Sequence, residues 1–160
     1  MTQAYVSVGS NQQARKYVPM ALDEIKSEFS PVTMSPVYES VAVGFDGENF
    51  LNLVVGFDTD LPLVELAGRL DQIEKSCGRK RGEKRFSSRT MDLDLLIYGD
   101  LRRHDEEYDI PRDEIVRYAF VLKPLSQLVP DFVHPELGVS FSRLWEEGNF
   151  PRQDLWEVEL

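Results

Sequence analysis

Arg89-Thr90-Met91-Asp92-Leu93-Asp94-Leu95-Leu96-Ile97 is the stretch on which the fold and the chemistry both turn. From Asp92 to Tyr98, ahead of the Gly99-Asp100 turn, it reads as a strand, the last of a series. Upstream, Ala4, Val6 and Val8 alternate with Tyr5 and Ser7 as in a half-buried first strand, which ends at the turn-forming Gly9-Ser10-Asn11. Val18, Ala21, Leu22, Ile25 and Phe29 then recur at three- and four-residue spacing, the stripe of an amphipathic helix stopped by Pro31. Residues 32–43 look extended, with Pro36 interrupting them, and Gly44-Phe45-Asp46-Gly47 reads as a loop. Residues 50–57 make another strand, and Leu63, Leu66, Leu70, Ile73 and Cys77 mark a second helix. Asp60 is its expected cap, Pro62 its first turn and Gly78 its stop.

Strand, helix, strand, strand, helix, strand is the split βαβ order. It predicts an α+β fold with a ferredoxin-like βαββαβ core, helices covering one face of an antiparallel sheet, and a C-terminal extension. In that extension, residues 120–129 are expected to be a strand edge followed by a short helix. With no repeat, linker or low-complexity tract, residues 1–160 are expected to be one domain.

Within the deciding stretch, alternate residues share a face. Asp92 and Asp94 therefore point the same way, roughly 6–7 Å apart along the strand. Leu93, Leu95 and Ile97 are expected on the other face, in the core. By itself the pair fits a solvent-facing edge strand as well as a cation site. Two close carboxylates repel unless a cation lies between them, and Mg²⁺, which takes oxygen ligands and substrate phosphates, suits the second case. Residues 78–89 sharpen the choice. They hold Arg79, Lys80, Arg81, Lys84, Arg85 and Arg89 against Glu83 alone, a basic island on a chain of net charge −10. Acidic metal ligands beside arginines are what a triphosphate needs. There is no P-loop and no protein-kinase signature.

Composition narrows the setting. With 42% hydrophobic and 29% charged residues, the chain belongs with folded globular proteins rather than disordered ones. The net acidity argues against nucleic-acid binding, and no apolar run reaches a membrane span. The amino terminus lacks the basic start of a secretory signal, and Cys77 is the sole cysteine, so a cytoplasmic protein is expected. Cys77 reads as an inward-packing helix residue, His104 and His134 as non-metal residues, and residues 105–109 as a solvated hairpin or loop.

Arg89-x-x-Asp92-Leu93-Asp94-Leu95-Leu96 resembles the signature of the hydroxymethyldihydropterin pyrophosphokinases. The resemblance extends to Gly9-Ser10-Asn11, Phe50-Leu51-Asn52, Ile73-Glu74, Gly78-Arg79 and Ala119-Phe120-Val121-Leu122-x-Pro124-Leu125, in order and spanning nearly the whole chain. It implies transfer of pyrophosphate from ATP to 6-hydroxymethyl-7,8-dihydropterin, releasing AMP, in folate biosynthesis. It further implies that Asp92 and Asp94 hold two Mg²⁺ ions. Arg79 and Arg89 would neutralise triphosphate charge, with residues 79–89 closing as a lid. Glu74, Arg81, Arg112 and Arg117 would contribute to the ATP site. Asn52 would bond the pterin ring, Phe50 and Phe120 would stack on its faces, and backbone at Ser40 and Val43 would meet its edge. A monomer acting on small molecules is expected.

Two segments depart from that family's pattern. Phe86-Ser87-Ser88-Arg89 stands where Trp-Gly-Pro-Arg is usual. Pro111-Arg112-Asp113 and Tyr118-Ala119-Phe120 replace Pro-His and Arg-Ala-Phe, so Arg112 takes the place of an imidazole. Arg117 sits one residue before the expected arginine, a shift that on a strand would turn it to the other face. Two further classes fit part of the pattern. One is a pterin- or nucleotide-binding relative with little transfer, and the other a Mg²⁺-dependent nucleotidyltransferase, which would release pyrophosphate instead of AMP.

Overall fold

Alternation of buried residues builds the centre of the sheet. In the computed structural model, which describes residues 1–42, 47–78 and 90–160, Ala4, Val6 and Val8 are buried on one side of the first strand and Tyr5 on the other. That strand, β1 (Thr2–Ser10), runs two residues further than expected, with Gly9 and Ser10 still paired. It is followed by α1 (Ala14–Phe29), β2 (Thr33–Met34), β3 (Val37–Ser40), β4 (Phe50–Thr59), α2 (Leu63–Ser76) and β5 (Asp92–Tyr98). The sheet order is β5-β1-β4-β3, antiparallel throughout, with β2 paired to β4. The βαββαβ order read from the sequence is thus present.

One face of the sheet carries α1 and α2. The helical stripe of Val18, Ala21, Leu22, Ile25 and Phe29 packs with Leu66, Leu70 and Ile73 against Val6, Val8, Leu53 and Val55. Gly78, at φ 80°, ends α2 in a left-handed turn that side chains resist. At its start, Pro62 occupies the cap position that Asp60 was expected to fill, and Asp60 instead lies 3.8 Å from the terminal amine of Met1. Cys77 is buried in this layer. Burial, with Glu24 and Glu74 nearby, pushes its thiol up to about 11, which disfavours the thiolate.

The second face is also covered, which the expected single layer did not include. After β5 come β6 (Arg103–His104), β7 (Asp109–Ile110), α3 (Glu114–Arg117), α4 (Ala119–Leu128), α5 (Phe141–Glu147) and β8 (Leu155–Val158). Ile115, Val121, Leu122, Leu125 and Phe141 pack onto Tyr5, Val54, Leu96 and Ile97. Residues 119–128 are helical from the outset, not a strand edge, so the positions between Arg112 and Phe120 follow helical and turn geometry. β8 extends the sheet by pairing with β3.

Ile97 is a second correction. Val6 pairs with Leu95 but Tyr5 with Ile97, so Leu96 is an extra residue, a β-bulge. The bulge turns Ile97 to the Tyr5 side, while Leu93 and Leu95 keep to the α1–α2 side.

His104 ties the β6–β7 hairpin to the segment between α4 and α5, its Nδ1 2.5 Å from Asp109 and its Nε2 2.6 Å from Glu136. Hydrogen bonds to those two carboxylates raise its pKa above the ordinary histidine value. His134, buried, is shifted down instead, and its Nδ1 accepts the Glu136 and Leu137 N–H groups. Because His104 gains affinity for its proton on folding, its contribution to stability is fully present below about pH 6.5. It is lost as pH rises through the higher folded-state pKa. The thermal midpoint of the wild type should therefore exceed that of His104→Gln in mild acid, and the gap should close toward alkaline pH.

Candidate active site

Cross-strand pairing aligns the chemistry-bearing residues in two rows. Tyr38, Asn52, Gly9 and Asp92 face one another across β3, β4, β1 and β5, and Val54, Ser7 and Asp94 form the next row. Directly paired residues share a face. Both rows therefore lie on the α3–α5 side, where Tyr5, Val54, Leu96 and Ile97 are covered by helices. Asp92, Asp94 and Ser7 keep part of their surface in solvent. The face changes character along the strands, from apolar core to a polar shelf.

Asn52 is 8% exposed, and its Nδ2 donates to the Ser40 Oγ at 3.5 Å. Ser40 pairs with Phe50, whose half-buried ring stands at the start of β4. Phe120, in the first turn of α4, is half-buried and stacks on Tyr118 with ring centroids 5.0 Å apart. Gly9 permits the close approach of Asn52, since a Cβ there would lie 2.7 Å from the Asn52 Oδ1.

Glu74 was read as lying just past the α2 stripe, yet only 8% of it is exposed. Its position four residues after Leu70 is the signal that places it on the buried side. Its carboxylate accepts the Leu93 N–H at 2.8 Å. Among the described residues β5 pairs on one side only, so this bond satisfies an edge amide lying between the two aspartates. Glu74→Ala should cost about 1–3 kcal/mol in urea unfolding, the penalty of leaving that amide unpaired.

Arg112 reaches the shelf from the segment before α3. Its N–H donates to the carbonyl of the bulged Leu96 at 3.1 Å. The side chain pairs with Glu114 at 2.6 Å and approaches Asp94 at 4.0 Å, while the buried Nε takes no partner among the described residues. Burial works against its charge, but Asp94, Glu114 and Asp92 outweigh it and hold its pKa above the usual arginine value. Glu114, 8% exposed, is a site residue the sequence reading missed. Arg117 is not brought to the aspartates by any described contact. It is half exposed, paired with Asp113 at 3.0 Å and set over the Tyr118 ring. Val43, Arg79, Arg81 and Arg89, with the rest of the basic island, lie outside the described residues.

The donor set suits Mg²⁺ brought in with phosphates. Among the described residues no group of three or more His, Cys, Asp or Glu could hold a metal alone. Asp92 and Asp94 share one face of an edge strand, the two-carboxylate arrangement that leaves room for substrate oxygens.

Comparison with known proteins agrees with this arrangement. A family model described as 7,8-dihydro-6-hydroxymethylpterin-pyrophosphokinase matches residues 5–130. The chain is 37% identical over 141 residues to a 2-amino-4-hydroxy-6-hydroxymethyldihydropteridine pyrophosphokinase of Pseudomonas aeruginosa, covering 82% of this chain and 83% of that one. It is 32% identical over 137 residues to the Aquifex aeolicus protein of the same name, covering 84% and 85%. The crystal structure of wild-type HPPK-DHPS from Plasmodium falciparum superposes with a TM-score of 0.71 at 13% identity, which bears on the fold alone. It covers 91% of this chain, which spans only 44% of that longer one. The polar shelf on one sheet face, the relatives and the matched residues agree: the chain belongs to the 7,8-dihydro-6-hydroxymethylpterin pyrophosphokinase family.

Proposed function

We propose that this chain transfers pyrophosphate from ATP to 6-hydroxymethyl-7,8-dihydropterin, giving the pterin diphosphate and AMP, a step of folate biosynthesis. The observation that carries the proposal is the row Asn52–Gly9–Asp92, which sets a ring-binding amide across one intervening strand from a phosphate-side carboxylate. The hydroxymethyl oxygen attacks the β-phosphorus of ATP and gives up its proton to solvent, the bond from that phosphorus to the α–β bridging oxygen breaks, and AMP leaves.

Asn52 and Ser40 orient the pterin edge, with Val43 backbone assigned to the same edge, while Phe50 and Phe120 take its two faces. Asp92 and Asp94 would hold two Mg²⁺ ions, which when bound would supply positive charge to offset the charge that builds up during transfer. Arg112 stands beside Asp94 as a fixed cation for the phosphates, braced by Glu114. Arg79, Arg81 and Arg89 are assigned to the triphosphate, and Glu74 holds the aspartate strand straight beneath the nucleotide. Arg117, at the exposed end of α3, is assigned to the outer edge of the ATP site. Catalysis on this scheme is positioning and charge stabilisation.

The same reading takes residues 1–160 as one catalytic domain, monomeric and cytoplasmic, with ATP and the pterin as its small-molecule partners. The unpaired thiol of Cys77 and the net charge of −10 go with that setting. No described helix is long and apolar enough to cross a membrane.

The test is a product assay with purified protein, ATP, Mg²⁺ and the pterin alcohol. Pterin-dependent AMP is the expected product. Pyrophosphate release would move the protein to the nucleotidyltransferases, and tight pterin binding without AMP would make it a binding relative.

A further inference from the structure

The segment after α5 lies outside the matched residues 5–130, yet it touches both walls of the shelf. β8 pairs with β3 in a register that sets Leu155 opposite Ser40. Just before it, the Gln153 Oε1 accepts the Ala119 N–H at 2.9 Å, and its Nε2 donates to the Arg117 carbonyl at 3.1 Å. One side chain thus brackets the start of α4, the turn that presents Phe120. The segment is itself anchored, since Phe150 stacks on Trp145 of α5 with centroids 5.3 Å apart.

That turn needs outside support. The cap residue of α4, Tyr118, has extended dihedrals and offers no side-chain bond to the first amides. A helix start leaves several N–H groups without internal partners. Pro124 lies inside α4 and has no N–H, so the helical bond it would give to the carbonyl of Phe120 cannot form. The first turn is therefore short of bonds at the residue whose ring faces the site. Ser40 and Phe120 on one side and residues 152–155 on the other enclose a cavity of about 220 Å³.

We infer that Gln153 is a positioning residue for the pterin site: it caps α4 from a distant part of the chain and so fixes Phe120, while residues 152–155 form a wall beside it. This rests on the pyrophosphokinase reading above and adds the C-terminal segment to it. Of the bonded groups, the Ala119 amide and β3 lie next to the assigned pterin residues, while the Arg117 carbonyl is backbone at the end of α3. Asp92 and Asp94 sit on the far edge strand, β5, away from β8. Loss of the cap should therefore affect pterin more than ATP.

The experiment measures the separate KM values for pterin and ATP, together with direct pterin binding by calorimetry and the thermal midpoint. Gln153→Ala is expected to raise the pterin KM about five- to tenfold, in line with loss of a helix cap, with the ATP KM changed by less than about twofold. Gln153→Glu keeps an oxygen for the Ala119 N–H and is expected to stay within about threefold of the wild type for pterin. An unchanged pterin KM in Gln153→Ala overturns the inference. So does an equal rise in both KM values with a lower melting point, which marks general loosening. Should Gln153→Ala not fold, a pterin KM in Gln153→Glu as weak as that of a Phe120→Ala control also overturns it. A wild type that binds no pterin at all would instead remove the pyrophosphokinase reading itself.

Discussion

Asp94→Ala is expected to lower pterin-dependent AMP release by about 10²–10³-fold or more, the scale of losing a principal charge-stabilising group, while the protein stays folded. Asp94 lies on an edge strand and is partly exposed, so its removal opens no apolar cavity. Its neighbour Arg112 keeps the closer partner, Glu114 at 2.6 Å against 4.0 Å for Asp94, and is not left as an isolated buried charge. The backbone bond from Leu93 to Glu74 does not involve the removed side chain. Stability and activity should thus separate, which distinguishes a functional carboxylate from a structural one. Asp94→Asn, nearly the same shape without the charge, should be almost as inactive. Retention of activity within tenfold of the wild type in either variant, measured by AMP release at saturating Mg²⁺, would remove Asp94 from the metal assignment.

The second large effect belongs to a residue with no side chain. Gly9→Ala would place a Cβ 2.7 Å from the Asn52 Oδ1, closer than such atoms pack. Asn52 is nearly buried and bonded to Ser40, so it has little room to turn aside. The expected result is a stability loss of about 1–3 kcal/mol from overpacking, together with a pterin KM raised more than the ATP KM. Urea unfolding and a two-substrate KM comparison read the two parts separately. A stable variant with normal pterin affinity would show that Asn52 is free to rotate without consequence.

Much of the architecture was legible because burial leaves periods in the chain. The α1 stripe from Val18 to Phe29 is buried as its spacing required, and the aspartates share a face as strand alternation demanded. What escaped had lost its period. Residues 95–98, Leu-Leu-Ile-Tyr, are apolar throughout, so nothing in them marks where alternation breaks, and the bulge at Leu96 hid there. The start of α4 reads Ala-Phe-Val-Leu because it packs tightly under the sheet, and a short run of that kind looks like strand or helix alike. Gln153 and Glu114 were invisible for another reason: a polar residue betrays its role through distant partners, here Ala119 and Arg112, that no local pattern contains. Glu74 was halfway between, readable from its offset to Leu70 but disguised by its charge.

The Leu96 bulge has a genetic counterpart one codon wide. Deleting that codon would leave Leu95 opposite Val6 and Ile97 opposite Tyr5, so the strand would remain paired on both sides of the cut. What would vanish is the carbonyl that receives the Arg112 amide, together with one fully buried leucine side chain. A deletion there, which gives the same protein as one at Leu95, should therefore disturb folding less than one at Leu93 and be felt in turnover. The extra residue behaves as a detachable bracket on the sheet, and a library of single-codon deletions along residues 91–98 should be best tolerated at the Leu95-Leu96 pair, where the backbone steps out of line.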